Sequence, residues 1–194
     1  MKINTNGTKT SEHPKLFFSV IMPCFNGEKF IAHSIKSVLR QTFSNFEFII
    51  ISDGSTDNSL NVIERFASQD SRIRIIVHKH NKGLSSTRND GLDRVRGRFV
   101  AFLDCDDWWP EEKLSTYAHT HKQGHDLVFS NYDIYKHKTN EIVRKVKVPA
   151  SLTYDALMYS NYIPLSSASF DFTKIPHLRF NDRELSEDWI FWLE

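Results

Sequence analysis

Apolar residues along this chain gather into short runs separated by amphipathic stretches. Leu16–Met22, Phe46–Ile51, Ile73–Val77 and Phe99–Leu103 are near-continuous apolar runs of strand length. Between them, Gly27–Gln41, Asp57–Ser68 and Leu84–Val95 read as helices, and Glu111–Lys122 follows the fourth run in the same way. In the first helix Ile31, Ile35, Val38 and Leu39 fall on one face, the pattern of a helix that packs against a core. Apolar runs without alternation predict strands buried on both faces. Strand and helix alternating in this way predict an α/β fold, a mostly parallel central sheet with helices on both faces. Ligands of such sheets bind beyond the carboxyl ends of the strands, so the polar residues after each run are the ones that matter.

After residue 125 the rhythm changes. Asp126–Tyr135 and Glu141–Val148, separated by Lys136–Asn140, read as a hairpin. Ser151 or Thr153 caps a short helix to Tyr159, and Ile163–Phe172 reads as extended. Ser186-Glu187-Asp188 reads as a helix start, with Ser186 as N-cap and acidic residues in the first turn. The expected organisation is a disordered lead-in (1–15), a ligand-binding α/β half (16–125) and a smaller mixed half (126–194), together one domain.

Composition narrows the class. Hydrophobic residues make up 40% and charged residues 25% of the 194 residues, enough for a sizeable core. Lys+Arg (25) nearly cancels Asp+Glu (24), which argues against a nucleic-acid partner. Cys24 and Cys105 are too few for a disulfide scaffold. No run reaches the roughly 18 apolar residues of a membrane span, so no integral membrane segment is expected. Residues 1–15 lack an apolar signal core. These features lead to an expectation of a cytoplasmic protein.

The strand ends carry the candidate chemistry. Asp104-Cys105-Asp106-Asp107 crowds three carboxylates after the fourth run. Carboxylates with open positions suit Mg²⁺ or Mn²⁺, which also take phosphate oxygens. Asp107 is better suited to capping the Glu111 helix or the turn at Pro110, Asp106 to a cation. In Asp53-Gly54-Ser55-Thr56-Asp57, the glycine makes the turn and Ser55 to Asp57 cap the next helix. Asp53, at the strand end, is placed to accept a hydrogen bond from a base. Phe25, flanked by Pro23 and Asn26, is placed to stack on one. Arg88 suits a diphosphate or a base carbonyl, or an ion pair with Asp90 or Asp93. There is no G-x-G-x-x-G and no G-K-[ST], which excludes the dinucleotide and P-loop readings.

Several motifs occur in order over residues 16–192: Val20–Asn26, Gln41-Thr42-Phe43, Asp53–Asp57, Asn81–Gly91, Phe102–Asp107 and Ser186–Trp189. Together they resemble the ordered motifs of family 2 glycosyltransferases. The resemblance implies the GT-A fold, a nucleotide-sugar donor (a UDP-sugar above all), a divalent metal, Mn²⁺ or Mg²⁺, and inversion at the anomeric carbon. It implies a surface polysaccharide or glycan as product and a glycan, lipid-linked or other hydroxyl acceptor. By position it places Pro23 and Phe25 against the uracil and Asp53 on its imide N–H. It places Arg88 at the base or diphosphate, Asp104 near the ribose, Asp106 on the metal, and Asp188 as general base. Peripheral membrane contact at the inner face and a homodimer are compatible with the same reading. Relatives continue beyond the Glu-Asp motif, so an apolar surface is expected near the chain end, with Trp189, Phe191 and Trp192 as its candidates or as core.

Two rivals come from other classes. A haloacid dehalogenase-type phosphatase also places D-x-D after a buried strand, but on the first strand and without a Trp at the position of Trp108. A non-catalytic nucleotide-sugar-binding protein would keep the donor residues and lack turnover. His119, His121 and His125 read as a solvated helix end rather than a metal site. Trp108-Trp109 reads as a plug at the sheet edge or a sugar platform, and the five basic residues of Lys136–Lys147 as a solvated face or one turned to anionic lipid.

Overall fold

The structure, a computed structural model, describes residues 16–181 and 187–194. The expected lead-in (1–15) and the N-cap expected at Ser186 lie outside those residues. Four parallel strands form the centre: β1 (Phe18–Cys24), β2 (Phe46–Asp53), β3 (Ile73–His78) and β4 (Phe99–Phe102). Three helices connect them: α1 (Ile31–Leu39), α2 (Ser59–Ala67) and α3 (Leu84–Leu92). The helices α4 (Lys113–Lys122), α5 (Tyr154–Tyr159) and α6 (Glu187–Leu193) and the strands β5 (Leu127–Phe129), β6 (Tyr132–Lys136), β7 (Glu141–Val146) and β8 (Ala168–Asp171) complete the described chain.

The main sheet runs β3-β2-β1-β4-β8-β5, with β8 antiparallel to both β4 and β5. Every residue of β1, β2 and β4 is buried, which is why their sequences show no alternation. Phe18, Val20, Met22, Phe48 and Ile50 face one core with α1 and α4; Ile21, Ile49 and Ile51 face the other with Phe102, Phe170 and Phe191. Burying a side chain of this size contributes roughly 1.5–3 kcal/mol, so these two layers fix the sheet and hence its strand ends.

The reading of Asp126–Tyr135 as one strand is corrected. The chain breaks at Ser130-Asn131. Before the break β5 joins the main sheet; after it β6 pairs only with β7 in a separate antiparallel sheet. Distant partners make the break: the Ser130 N–H donates to Ser167 O (3.0 Å) and Asn131 Oδ1 accepts from Val148 N (2.9 Å). Ile163–Phe172 is likewise only partly extended. Pro164 sets a single 3-10 turn, Leu165–Ser167, with the Ser167 N–H donating to Pro164 O, and β8 begins after it. Thr153, not Ser151, caps α5 by accepting from Ala156 N. His121 is not a solvated helix end. It is buried, stacked on Phe99 at 3.9 Å between ring centroids, and bonded to His125 O and Ser169 Oγ.

Near the chain end, Phe191 stacks on Phe180 (4.1 Å) within the second core. Trp189 and Trp192 donate through their indole N–H groups to Leu157 O and Ile163 O. Phe191 and Trp192 therefore pack into the core, whereas Trp189 is half-buried. On α5, the helix packed against α6, Tyr154, Met158 and Tyr159 are exposed.

At the amino end of the sheet a buried polar hub ties β1, β2 and the turn before β4. Ser19 Oγ donates to Glu47 Oε1 (2.6 Å), which also accepts from Arg96 N, while the Gly97 N–H donates to Ser19 Oγ. A Cβ on Gly97 would stand 2.5 Å from the Phe18 carbonyl carbon and 2.6 Å from Ser19 N. Those are backbone atoms and cannot yield without parting the strands. Gly97→Ala is expected to cost about 1–3 kcal/mol by overpacking, read as a lower urea midpoint. An unchanged midpoint would show that this junction does not hold the sheet.

Candidate active site at the carboxyl ends of the strands

The ends of β1, β2 and β4 and the loop after β3 converge on one cavity of about 600 Å³. Its wall includes Pro23, Phe25, Asp53, Gly83, Asp104 and Asp106. Five of the seven residues singled out in the sequence thus share one space: Pro23, Phe25, Asp53, Asp104 and Asp106. Arg88 and Asp188 stand outside its lining.

The loops that present these residues are bound to each other. Asn26 sits at φ 51°, and its N–H donates to Ser55 Oγ while its Oδ1 accepts from Thr56 N. Glu28 N donates to Asp57, and Asn58 N donates to Glu28 Oε2. Asp57 Oδ1 also takes the Ser59 N–H and hydroxyl, an Asx turn just ahead of α2, whose N-cap position is Asn58 rather than any of Ser55 to Asp57. Gly54 has φ +66°, and a Cβ there would meet the backbone of His80 and Asn81 at 2.5 Å. These bonds hold Phe25 with its ring about half exposed (48%) over the cavity.

Asp53 is buried and closes the link to the third loop. Its Oδ1 faces His78 Nδ1 at 2.6 Å and accepts from Lys82 N; its Oδ2 accepts from Gly83 N at 3.1 Å. Burial raises its pKa, but the hydrogen bonds from His78, Lys82 N–H and Thr87 outweigh it and hold the carboxyl below the usual range. It is therefore an ionised acceptor at neutral pH. Asp53 also belongs to the cavity wall, so this acceptor stands at the ligand space. His78 Nε2 lies 2.8 Å from Asp90 Oδ2, without the alignment of a hydrogen bond.

Arg88 is buried under the site. Its Nη2 donates to Asp104 Oδ1 (2.8 Å), its Nη1 to Glu187 Oε1 (2.9 Å), and its guanidinium lies over the Phe180 ring at 5.3 Å. Neither Asp90 nor Asp93, its neighbours in sequence, pairs with it: Asp90 binds Lys82 and Asp93 binds Arg179. The expected reach to a base or diphosphate is thus taken up by two carboxylates. Asp188, next to Glu187, accepts from Asn161 Nδ2 (2.8 Å) and from Trp189 N.

Asp106 is exposed and lines both this cavity and a second one of about 660 Å³. The second is walled by Asp107, Trp108, Lys113, Tyr132, Tyr135 and His137, among others. Trp108 meets the rings of His33, Tyr135 and His137 edge-on. Trp109 instead is buried and donates to Ser166 O. Burial raises the pKa of Asp107; a hydrogen bond from Ser166 opposes this, and the nearby Asp104 and Asp106 charges add to it. Burial lowers the Lys113 amine to about 8; its Nζ donates to Ser130 Oγ (2.6 Å). Sequence reasoning passed over Lys113, Asn161 and Ser166, which carry no motif. It read Glu187 only as helix-end chemistry, although its position beside Asp188 was the available signal.

Among the described residues no ready cluster of three His, Cys, Asp or Glu ligands exists. The donor set still fits a hard cation. Mg²⁺ and Mn²⁺ are commonly held by one or two carboxylates, with phosphate and water filling the other positions. Asp106 and the oxygen of Asp104 not bound to Arg88 are the residues that would supply them.

Comparison with known proteins gives these features a family. The model for glycosyl transferase family 2 matches residues 19–189. The chain is 35% identical over 176 residues to the Escherichia coli UDP-Glc:alpha-D-GlcNAc-diphosphoundecaprenol beta-1,3-glucosyltransferase WfgD, covering 90% of this chain and 68% of that protein. It is 32% identical over 175 residues to a second E. coli enzyme described in the same terms, WfaP, with 90% and 68% covered. The crystal structure of Staphylococcus aureus TarS 1-349 in complex with UDP superposes with a TM-score of 0.73 at 26% identity, over 90% of this chain and 53% of that one. The chain thus spans about two thirds of the two E. coli relatives and about half of the TarS structure. Its fold is GT-A, and it belongs to glycosyl transferase family 2.

Proposed function

We propose that the protein transfers a sugar, with inversion, from a UDP-sugar to a hydroxyl of a lipid-linked glycan during surface polysaccharide synthesis. The observation that carries this reading is the convergence of Phe25, Asp53, Asp104 and Asp106 from three strand ends on one cavity. Phe25 offers an exposed ring to a base, and Asp53 an ionised acceptor to its imide N–H. Asp104, steadied by Arg88, meets the ribose. The relatives' printed names add a UDP-linked donor and a diphosphate-linked acceptor.

The acceptor belongs in the second cavity, which opens at Asp106 beside the donor cavity. Trp108, Tyr132 and Tyr135 suit the faces of a pyranose, and the Lys113 amine suits a phosphate. Asp188 takes the proton of the attacking hydroxyl as its oxygen closes on the sugar C1 and the bond to the diphosphate breaks on the opposite side. Two interactions position it. Glu187 pins the first turn of α6 to Arg88, and Asn161 orients the Asp188 carboxylate. Asp106, with Asp104, is the holder of a divalent cation. When bound, such a cation neutralises the charge developing on the leaving diphosphate.

Incubation with UDP-glucose or UDP-N-acetylglucosamine and a diphospholipid-linked N-acetylglucosamine should release UDP and extend the acceptor with a β-linked residue. UDP release that does not depend on the acceptor would contradict the transferase reading. Two variants separate the parts. Asp106→Asn should abolish the Mn²⁺-dependent component of UDP affinity, and unaltered Mn²⁺-dependent binding would sink that assignment. Asp188→Asn should keep UDP affinity while lowering kcat by about 10²–10⁴-fold, the range of general-base catalysis. Equal loss of binding and turnover would argue against a base there.

A further inference from the structure

Cys24 closes β1, and Cys105 lies between Asp104 and Asp106. The two strands are parallel neighbours with Ile21 beside Phe102, and the ladder continues through Leu103 N to Ile21 O. Cys105 follows in the turn after β4, which the Asp107 N–H closes by donating to Asp104 O. Both side chains lie on the same side of the sheet: Cys24 continues the series Phe18, Val20, Met22 in the first core, and Cys105 packs against that core. The sulfurs meet under Gly27. A Cβ on that residue would stand 2.9 Å from Cys105 Sγ and 3.1 Å from Cys24 Sγ.

Both sulfurs stand within 3.1 Å of one point, the Cβ position of Gly27, so they are neighbours in one small space. Both cysteines are free and both belong to the donor-cavity wall; Cys24 is buried and Cys105 partly exposed, so a small reagent that enters the cavity meets Cys105 first. The transferase reading gives neither sulfur a role.

We infer that Cys24 and Cys105 are a thiol–disulfide couple built into the floor of the donor cavity, oxidised by a peroxide and reduced by a small thiol. One thiol attacks the peroxide O–O bond, becoming a sulfenic acid with release of water. The other attacks that sulfur, forming the S–S bond with loss of a second water. Two thiols and one hydrogen peroxide thus give one disulfide and two waters; sulfur loses two electrons and peroxide gains them. Two low-molecular-weight thiols return the pair to the reduced form by exchange.

The bond has a consequence for the site. Cys24 is flanked by Pro23 and Phe25, and Cys105 by Asp104 and Asp106, all four in the cavity wall. Closing the sulfurs to about 2.05 Å draws these two segments together beneath the ligand. The oxidised protein therefore loses UDP affinity. That effect rests on the donor reading, whereas the cross-link does not.

The test treats the reduced chain with hydrogen peroxide, maps the thiols by mass spectrometry of a non-reduced digest, and measures UDP binding with Mn²⁺ before oxidation, after it, and after dithiothreitol. Expected are a Cys24–Cys105 linked peptide pair lighter by two hydrogens, loss of UDP binding, and recovery of both states with dithiothreitol. Sulfinic or sulfonic acid on either cysteine without the linked pair would overturn the couple. So would a linkage only between chains. A linked pair with UDP affinity unchanged would overturn its effect on the site. Failure of the reduced chain to bind UDP at all would count against the donor reading, while the peptide map would still decide the couple.

Discussion

The buried guanidinium of Arg88 is the constraint on which the site's geometry rests. It comes from α3 and binds Asp104 after β4 and Glu187 at the start of α6, with Phe180 beneath it. Three distant stretches of chain therefore meet at one planar group that donates in two directions. The fork shape matters, since a lysine could not hold both carboxylates in one plane. Such a buried group adds little net stability, because desolvation offsets much of the Coulomb attraction. Its value is positional. Asp104 faces the donor cavity and Glu187 neighbours Asp188, so the two ends of the proposed reaction are registered through one residue.

The remaining loops follow the same logic with smaller bonds. Asn26, Glu28, Ser55 and Asp57 bind the first two loops to each other, and Asp53 binds the second to the third. The backbone groups that a turn leaves without partners are satisfied here by side chains of the neighbouring turn. A cavity built this way is preorganised, so the aromatic ring and the carboxylates need little rearrangement to meet a ligand. The acidic run after β4 is the exception. There three carboxylates follow one another in four residues, with Arg88 paired to Asp104 and Ser166, His137 and Lys113 beside Asp107, a run to which a cation is suited.

How much of this was legible in sequence depends on the range of the interaction. The four parallel strands were readable because burial on both faces removes polar residues from them. Their end loops were readable because Pro23, Gly54 and the acidic run are local signals. Long-range pairing was not readable. Arg88 had Asp90 and Asp93 one turn away as plausible partners, yet it binds residues 16 and 99 positions on. The break at Ser130-Asn131 carries no glycine or proline and is made by Ser167 and Val148. His121 looked like a polar helix end because nothing near it in sequence announces Phe99 and Ser169. Asp188 is singled out by its motif, but its hydrogen bond to Asn161 and the tie of α6 to Arg88 carry no local signal.

The central claim is that the strand ends form a preorganised site for a uridine diphosphate group. Titration calorimetry of the unmodified chain with UDP, GDP and CDP in the presence of Mn²⁺ tests it most directly. The account predicts saturable one-to-one binding of UDP, with CDP weaker because cytosine has no imide N–H for Asp53, and GDP weaker because a purine overfills the space beside Phe25. Equal affinity for the three nucleotides, or no heat with any of them, would contradict it.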